Sequence, residues 1–313
     1  MIEAVSTGVT DTVSNPAVRT LLGRYRNVLL VGAAVATGLI IPELGSSLEI
    51  LITPLVVFLV FSSVVGLQVS EIDAASYVLL VVLSLAISYV VLPVGGMWIA
   101  GSILTDGGAL GFAIALSVPT TTGSAIVWTR LSRGDVQLAT ATAIVSLLAA
   151  PLVTPVVLSH LAGAGAAVPL ESLFVELLVI VGGGVLLAVV VPSRLVTPRV
   201  LDDGATVAIL LLIYTSVAGV DVGEITVGEL FGVLGVSCIL LVGGVAISLL
   251  CKRGLRLQRA HALPLFFTSS LKNLGIALVI AYAYADPLVT FTIITYYVIQ
   301  QLFGAALADR IGE

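Results

Sequence analysis

The sequence of 313 residues is too apolar for a water-soluble globular domain. Hydrophobic residues make up 59% of it, charged residues 10%, and the mean hydropathy is +1.21. The net charge of −5 identifies no partner, because the charged residues are confined largely to short segments between apolar runs. The composition predicts an integral membrane protein that sits in a lipid bilayer, and no nucleic-acid partner is expected.

Ten apolar segments are each long enough to cross a bilayer core of roughly 30 Å as a helix. We number them spans 1 to 10, with approximate bounds 28–44, 48–69, 76–104, 108–132, 136–160, 172–192, 205–220, 226–250, 260–285 and 287–308. A transmembrane β-barrel is excluded, because the segments show no alternation of apolar and polar residues. Residues 1–27 are predicted to be a cytosolic tail and not a cleaved signal peptide.

Basic residues near the ends of the spans test this count, because Lys and Arg collect on the cytoplasmic side of a membrane. Twelve of the 13 fall on one side: Arg19, Arg24, Arg26, Arg130, Arg133, Arg194, Arg199, Lys252, Arg253, Arg256, Arg259 and Arg310. The opposite loops carry acidic residues and no basic ones, and the remaining basic residue, Lys272, lies inside span 9. We therefore predict a plasma-membrane protein with both termini in the cytoplasm.

An internal repeat relates the two halves of the chain. Residues 61–72 match residues 214–225 at six of twelve positions, including a glycine and a glutamate, and each stretch closes the second span of its half. Because five spans separate the two copies, the repeats at 28–160 and 172–308 are expected to be inverted in the membrane. Inverted repeats are typical of secondary transporters, which alternate access around a site near the midplane.

Polar residues interrupt spans 4 and 9 at equivalent depths. Span 4 contains Pro119, Thr120, Thr121, Thr122, Gly123 and Ser124; span 9 contains Thr268, Ser269, Ser270, Lys272, Asn273 and Gly275. We predict helix breaks at Pro119, Gly123 and Gly275, because proline removes an amide donor and broken helices expose ends that bind ions and charged substrates. In one span alone, close helix packing and a kink would explain such residues equally well. Their presence in two equivalent spans favours a binding site made of the hydroxyl, amide and lysine side chains.

Two stretches resemble the bile acid:sodium symporter family. Residues 124–155 lead from the broken span 4 through an L-x-x-G-[DN] turn to a P-L-x-T-P pattern, and residues 268–281 are similar to the family's broken ninth helix, with Asn273 and Gly275 at its Asn-x-Gly. The resemblance implies an all-α membrane fold of ten helices. It further implies a panel of spans 1, 2, 6 and 7 beside a core of spans 3–5 and 8–10, with the crossing of helices 4 and 9 as the transport centre.

The resemblance also implies that this chain departs from the family at its sodium sites. The family's acidic ligand on span 9 aligns with Thr268, the neighbouring Gln with Lys272, and the Gln on span 3 with Ser88. The other aligned ligand positions carry apolar residues: Ala125, Ile126, Ala139 and Ala143. A shift of one residue recovers Ser124 but no Asn. Since hard cations need several oxygen ligands, we expect a pocket without a metal ion.

Lys272 is the charged residue that span 9 has to accommodate. We hypothesise that its ammonium occupies the space that sodium fills in relatives, because an unpaired charge in the membrane costs several kcal/mol. Snorkelling to the interface is the alternative, but either end of the span is about 18 Å away and the side-chain stem spans only roughly 6 Å. Because a buried lysine can release its proton near neutral pH, proton coupling stays open.

The sequence as a whole predicts a secondary active transporter of a small organic anion, independent of sodium or coupled to protons. Ser88, Tyr297 and Gln301 are candidates to line its cavity, although they could equally be helix contacts. The alternatives are a sodium-coupled bile-acid or organic-anion symporter, an arsenite or oxyanion efflux carrier, and a sensor domain that binds without transporting. The Val127-Trp128 pair resembles the arsenite carriers, yet span 4 lacks their thiol. No enzyme motif or cofactor is indicated; the substrate, the direction of transport and the oligomeric state are left open.

Overall fold

The computed structural model describes residues 29–65, 74–162, 168–192, 195–218, 225–284 and 286–312. Within them every regular element is a helix, apart from one isolated β-bridge, so the predicted all-α class is confirmed for this part of the chain. The predicted repeat lies largely in residues 66–72 and 219–224, which are outside the described ranges. The inverted repeat therefore stays a prediction.

We number the helices in chain order. They are α1 (Leu29–Ile40), α2 (Ile52–Val64), α3 (Ala74–Ile103, with a π-helical turn at Ile87–Val91), α4 (Asp106–Ser117), α5 (Thr122–Leu131), α6 (Val136–Leu161), α7 (Leu170–Val190), α8 (Pro198–Ala218), α9 (Val227–Gly254), α10 (Arg259–Ser270), α11 (Leu274–Tyr282) and α12 (Pro287–Gly312). Short helical turns at Pro42–Leu44, Gly45–Leu48 and Glu49–Leu51 join α1 to α2.

Six of the described helices are long and apolar enough to cross a membrane: α3, α6, α7, α8, α9 and α12. The shorter helices α4, α5, α10 and α11 correspond to spans 4 and 9, each divided into two half-helices. The total of ten spans stays a prediction.

Packing places α2 against α7 and α8, while α4 packs on α12 and α9 packs on both α10 and α12. Large apolar side chains such as Leu79, Trp98, Leu152 and Val189 remain on the outer surface. Such an apolar exterior suits a lipid environment. The buried interior, in contrast, contains many hydroxyl side chains around the two pairs of half-helices.

Candidate functional site

Span 4 breaks between α4 and α5. Pro119 supplies no amide proton and forces the residue before it away from the helical region. Val118 is accordingly extended, with ψ at 159°, and α5 begins only at Thr122 after its N-cap residue Thr121. Gly123 lies in the first turn of α5, just beyond the break.

Span 9 breaks between α10 and α11 at Leu271–Asn273, a few residues before the break predicted at Gly275. The side chain of Asn273 caps α11, because its Oδ1 atom accepts a hydrogen bond from the Ile276 amide at 3.2 Å. Gly275 lies in the first turn of α11, which is the position that Gly123 occupies in α5.

The two breaks cross and satisfy each other's backbone groups. Thr120 and Lys272 form an antiparallel bridge, in which the Thr121 amide donates to the Leu271 carbonyl at 3.1 Å and the Asn273 amide donates to the Pro119 carbonyl at 2.9 Å. Extended backbone inside a membrane protein needs such partners, because no water is available to it.

Side chains complete the pairing on the outer edges of this bridge. The Gln300 side chain accepts from the Lys272 amide and donates to the Lys272 carbonyl, both at 3.0 Å. Its amide group thus pairs with the Lys272 backbone in the way that a neighbouring strand would. On the other edge, the Thr120 amide donates to Ser146 Oγ at 3.0 Å. Gln300 is 1% exposed, and it thus holds the backbone of Lys272 in place from inside the protein.

The Lys272 ammonium is buried on the α3 side of the crossing, with the residue only 2% exposed. Its Nζ atom donates to the carbonyl and hydroxyl oxygens of Ser88, both at 2.8 Å, and to the carbonyl of Val118 at 3.3 Å. The Tyr89 ring lies below it, with its centroid 5.0 Å away. Among the residues that the structure describes, the hydrogen-bond acceptors of this cation are neutral oxygens.

The π-helical turn explains why the Ser88 carbonyl is available. In a regular helix it would accept from Leu92, but here the Leu92 amide donates to Ile87. The next possible donor is residue 93, and Pro93 has no amide proton. The Ser88 carbonyl is thus released from the helix and takes its hydrogen bond from Lys272.

Several predicted site residues lie in this buried layer and not at a cavity. Thr268 Oγ1 is 2.7 Å from Ser84 Oγ, and Thr120 donates to the Thr268 carbonyl. Ser269 donates to Leu265 within its own helix. Thr122, Ser270 and Ser88 are also buried.

A cavity of about 370 Å³ lies on the other side of the crossing. One wall is mainly apolar and comes from α1, α2 and α8, with Leu30, Leu59 and Ile209 among its residues. The other wall comes from α5, α11 and α12 and includes the predicted residues Thr121, Gly123, Ser124, Asn273, Gly275, Tyr297 and Gln301. None of the described residues that line this cavity carries a formal charge.

Sequence reasoning named Gln301 as a candidate cavity residue but missed the contact of Gln300 with Lys272, and it also missed Tyr89, Ser146 and Val118. Ser146 is a polar residue inside an apolar span, and this pattern could have marked it as a candidate site residue. Val118 contributes through its backbone carbonyl, so the identity of its side chain does not indicate this role. Neighbouring residues on a helix point about 100° apart, which is why Gln300 faces the crossing while Gln301 faces the cavity.

Comparison with protein families supports the assignment that this architecture suggests. Residues 27–313 match the model of the SBF-like CPA transporter family. A search of curated proteins gave no match. Because the family model covers nearly the whole chain and the described helices are strongly apolar, the chain belongs to the SBF-like CPA transporter family and is a multi-pass membrane protein of a transporter family.

Proposed function

We propose that the protein is a secondary active transporter of a small organic anion, in which Lys272 replaces a co-transported sodium ion. The observation that carries the proposal is the Lys272 ammonium, held by the neutral oxygens of Ser88 and Val118 directly behind the helix crossing. Carbonyl and hydroxyl oxygens of this kind are the ligands that a small hard cation prefers. A tethered ammonium fills such a place with the same unit charge.

The anionic nature of the substrate follows from the cavity side of the crossing. The first turns of α5 and α11 both border the cavity, and the amide ends of helices favour negative charge. Asn273 adds a donor, because its oxygen is used to cap α11 and no acceptor among the described residues takes its Nδ2 group. The cavity therefore offers hydrogen-bond donors to a carboxylate, and its apolar wall suits an apolar body.

The position of the cavity supports a mechanism of alternating access. Many of its lining residues lie on α5, on the first half of α8 and on the second half of α12. These parts of the helices lie towards Arg130, Arg199 and Arg310, which are on the basic, cytoplasmic side of the predicted topology. At the opposite ends, Tyr282 at the end of α11 donates to the Glu49 carboxylate before α2. With this topology the cavity faces the cytoplasm, so we assign an inward-open state. The plasma membrane is the proposed site of action.

The remaining alternatives make different demands on the site. Sodium-coupled symport requires a cation site in addition to the oxygens that Lys272 occupies. Arsenite transport by thiol ligands finds no support, because Cys238 and Cys251 lie on α9 and neither lines the cavity. A sensor domain would bind an anion but would not exchange it across a membrane.

The test is transport in proteoliposomes by the purified protein, after a thermal-shift screen of small monocarboxylates such as benzoate, pyruvate and cholate. We expect counterflow of the bound acid at equal rates in sodium and choline buffers. Lys272→Gln should abolish it, while Lys252→Gln, which changes the chain's other lysine at the end of α9, should leave it intact. An imposed pH gradient distinguishes proton coupling from uniport.

A steep dependence of wild-type transport on sodium would overturn the role of Lys272. Binding without any counterflow would instead favour the sensor alternative.

A further inference from the structure

A directed chain of hydrogen bonds runs along the polar wall of the cavity. The indole Nε1 of Trp128 donates to Gln301 Oε1 at 3.3 Å, and Gln301 Nε2 donates to Ser124 Oγ at 3.2 Å. All three side chains line the cavity. The indole packs against Gly304, where an added Cβ atom would lie only 2.9 Å from the ring, so α12 fixes the ring in place.

The direction of this chain follows from the chemistry of its first member. An indole N–H can only donate, whereas a glutamine amide can present either its oxygen or its nitrogen. Trp128 therefore determines that the Gln301 oxygen faces the ring and that the Gln301 nitrogen faces Ser124. The Ser124 hydroxyl in turn donates to Thr121 Oγ1 at 3.5 Å, so the chain ends at the Thr121 hydroxyl beside the start of α5.

The consequence is a wall that presents hydrogen atoms to the cavity. The groups in question are the hydroxyls of Thr121 and Tyr297, whose oxygens are hydrogen-bonded to Ser124 and Gln301, and the Nδ2 group of Asn273, beside the first-turn amides of α5. A carboxylate can accept from such groups with both oxygens. A primary amide of the same shape brings two donors of its own, and these would meet donors on the wall.

We propose that Gln301 is a specificity-determining residue and Trp128 its positioning residue, and that together they make the site select a deprotonated carboxylate over the matching neutral amide. This inference rests on the proposed function of the site. Its basis is the fixed orientation of one amide group, and no formal charge on the cavity wall is required. A buried polar group left without its partner is the general source of such discrimination.

Matched pairs of acid and amide test the proposal: acetate and acetamide, benzoate and benzamide, 2-naphthoate and 2-naphthamide. Binding is measured by isothermal titration calorimetry on the full-length protein in detergent. We expect the wild type to prefer the acid of the best-binding pair by roughly 30-fold. Trp98→Phe is the matched control, since Trp98 is 79% exposed on the outer surface, and it should keep this ratio.

Two variants alter the orientation of the amide. Trp128→Phe keeps an aromatic ring but removes the donor, so Gln301 can turn its oxygen to the cavity and the acid-to-amide ratio should fall to about threefold or less. Gln301→Glu can still accept from Trp128, but it adds a negative charge, so the preference should reverse in favour of the amide. A general loss of packing would weaken both ligands together and leave the ratio unchanged.

The outcomes separate this inference from the proposed function. An unchanged ratio in Trp128→Phe, or equal binding of acid and amide by the wild type, overturns the role of the pair. Acid-selective binding that depends on Trp128 without any counterflow supports the pair and overturns transport. Failure of the wild type to bind any of the acids overturns both.

Discussion

The two sides of the helix crossing use the same broken backbone in opposite ways. On the α3 side, carbonyl oxygens of Ser88 and Val118 converge on the Lys272 ammonium, and the site is closed and fully paired. On the cavity side, the first turns of α5 and α11 border open space, and the described residues supply no acceptor for the Nδ2 group of Asn273. A pair of broken helices thus supplies acceptors for a fixed cation on one face and donors for a mobile anion on the other.

Replacing the Lys272 ammonium by a free sodium ion should have the largest effect on transport. Lys272→Ser removes the ammonium and leaves buried carbonyls unpaired, so transport in sodium-free buffer should fall by about 100-fold, equivalent to about 2.8 kcal/mol. Sodium should then restore part of the rate by occupying the vacated oxygens, although it has no effect on the wild type. Counterflow in sodium and choline buffers measures both, with Lys252→Ser as the control. A folded variant that sodium does not rescue contradicts the idea that these oxygens form a cation site.

Neighbouring glutamines allow the two faces to be separated within one helix turn. Gln300→Leu should lower the free energy of unfolding by about 2–4 kcal/mol, because it leaves the buried amide and carbonyl of Lys272 without partners. Gln301→Leu should cost only about 1 kcal/mol but should abolish acid-selective binding. Unfolding in detergent and calorimetric titration give the two readouts. Equal destabilisation by both substitutions would contradict the division of roles.

The release of the Ser88 carbonyl can be tested at a more distant position. Pro93→Ala restores a backbone donor that competes with Lys272 for this oxygen, so transport should fall by about fivefold, equivalent to about 1 kcal/mol. Pro198→Ala is the control, because Pro198 is the first residue of α8 and its amide has no helical partner to gain. Equal rates for Pro93→Ala and the wild type would show that the π-helical turn alone releases the carbonyl.

The smallest expected effect is a shift of the population towards the outward-open state. Tyr282→Phe removes the hydrogen bond to Glu49 at an exposed position, and the outward-open population should rise by about threefold. Labelling of a cysteine placed at Ser63, which lines the cavity, reports this in a background where both native cysteines are replaced by serine. Slower labelling from the cytoplasmic side is the expected sign. Unchanged labelling from both sides would mean that this contact does not stabilise the inward-open state.

Sequence reasoning located the two helix interruptions better than the arrangement of side chains around them. Pro119 and the Asn273-x-Gly275 pattern pointed to the two breaks, because proline and an N-cap asparagine act through local backbone chemistry. The direction in which Lys272 points was not readable, since it depends on a carbonyl that Leu92 and Pro93 release on another helix. A contact to a backbone carbonyl can be made by any residue type, so a single sequence does not reveal it.

The covalent attachment of the Lys272 cation has an energetic consequence for the proposed transport cycle. A sodium ion enters and leaves with each turnover, but a side chain is never released, so a cycle without proton exchange moves one net negative charge with each monovalent anion. At an inside-negative membrane voltage of about 100 mV, the electrical work is about 2.3 kcal/mol per charge and favours outward movement. Without a coupling ion, the voltage would sustain an outside-to-inside concentration ratio of roughly 50 for the anion. In that cycle the lysine would make the protein an exporter by default.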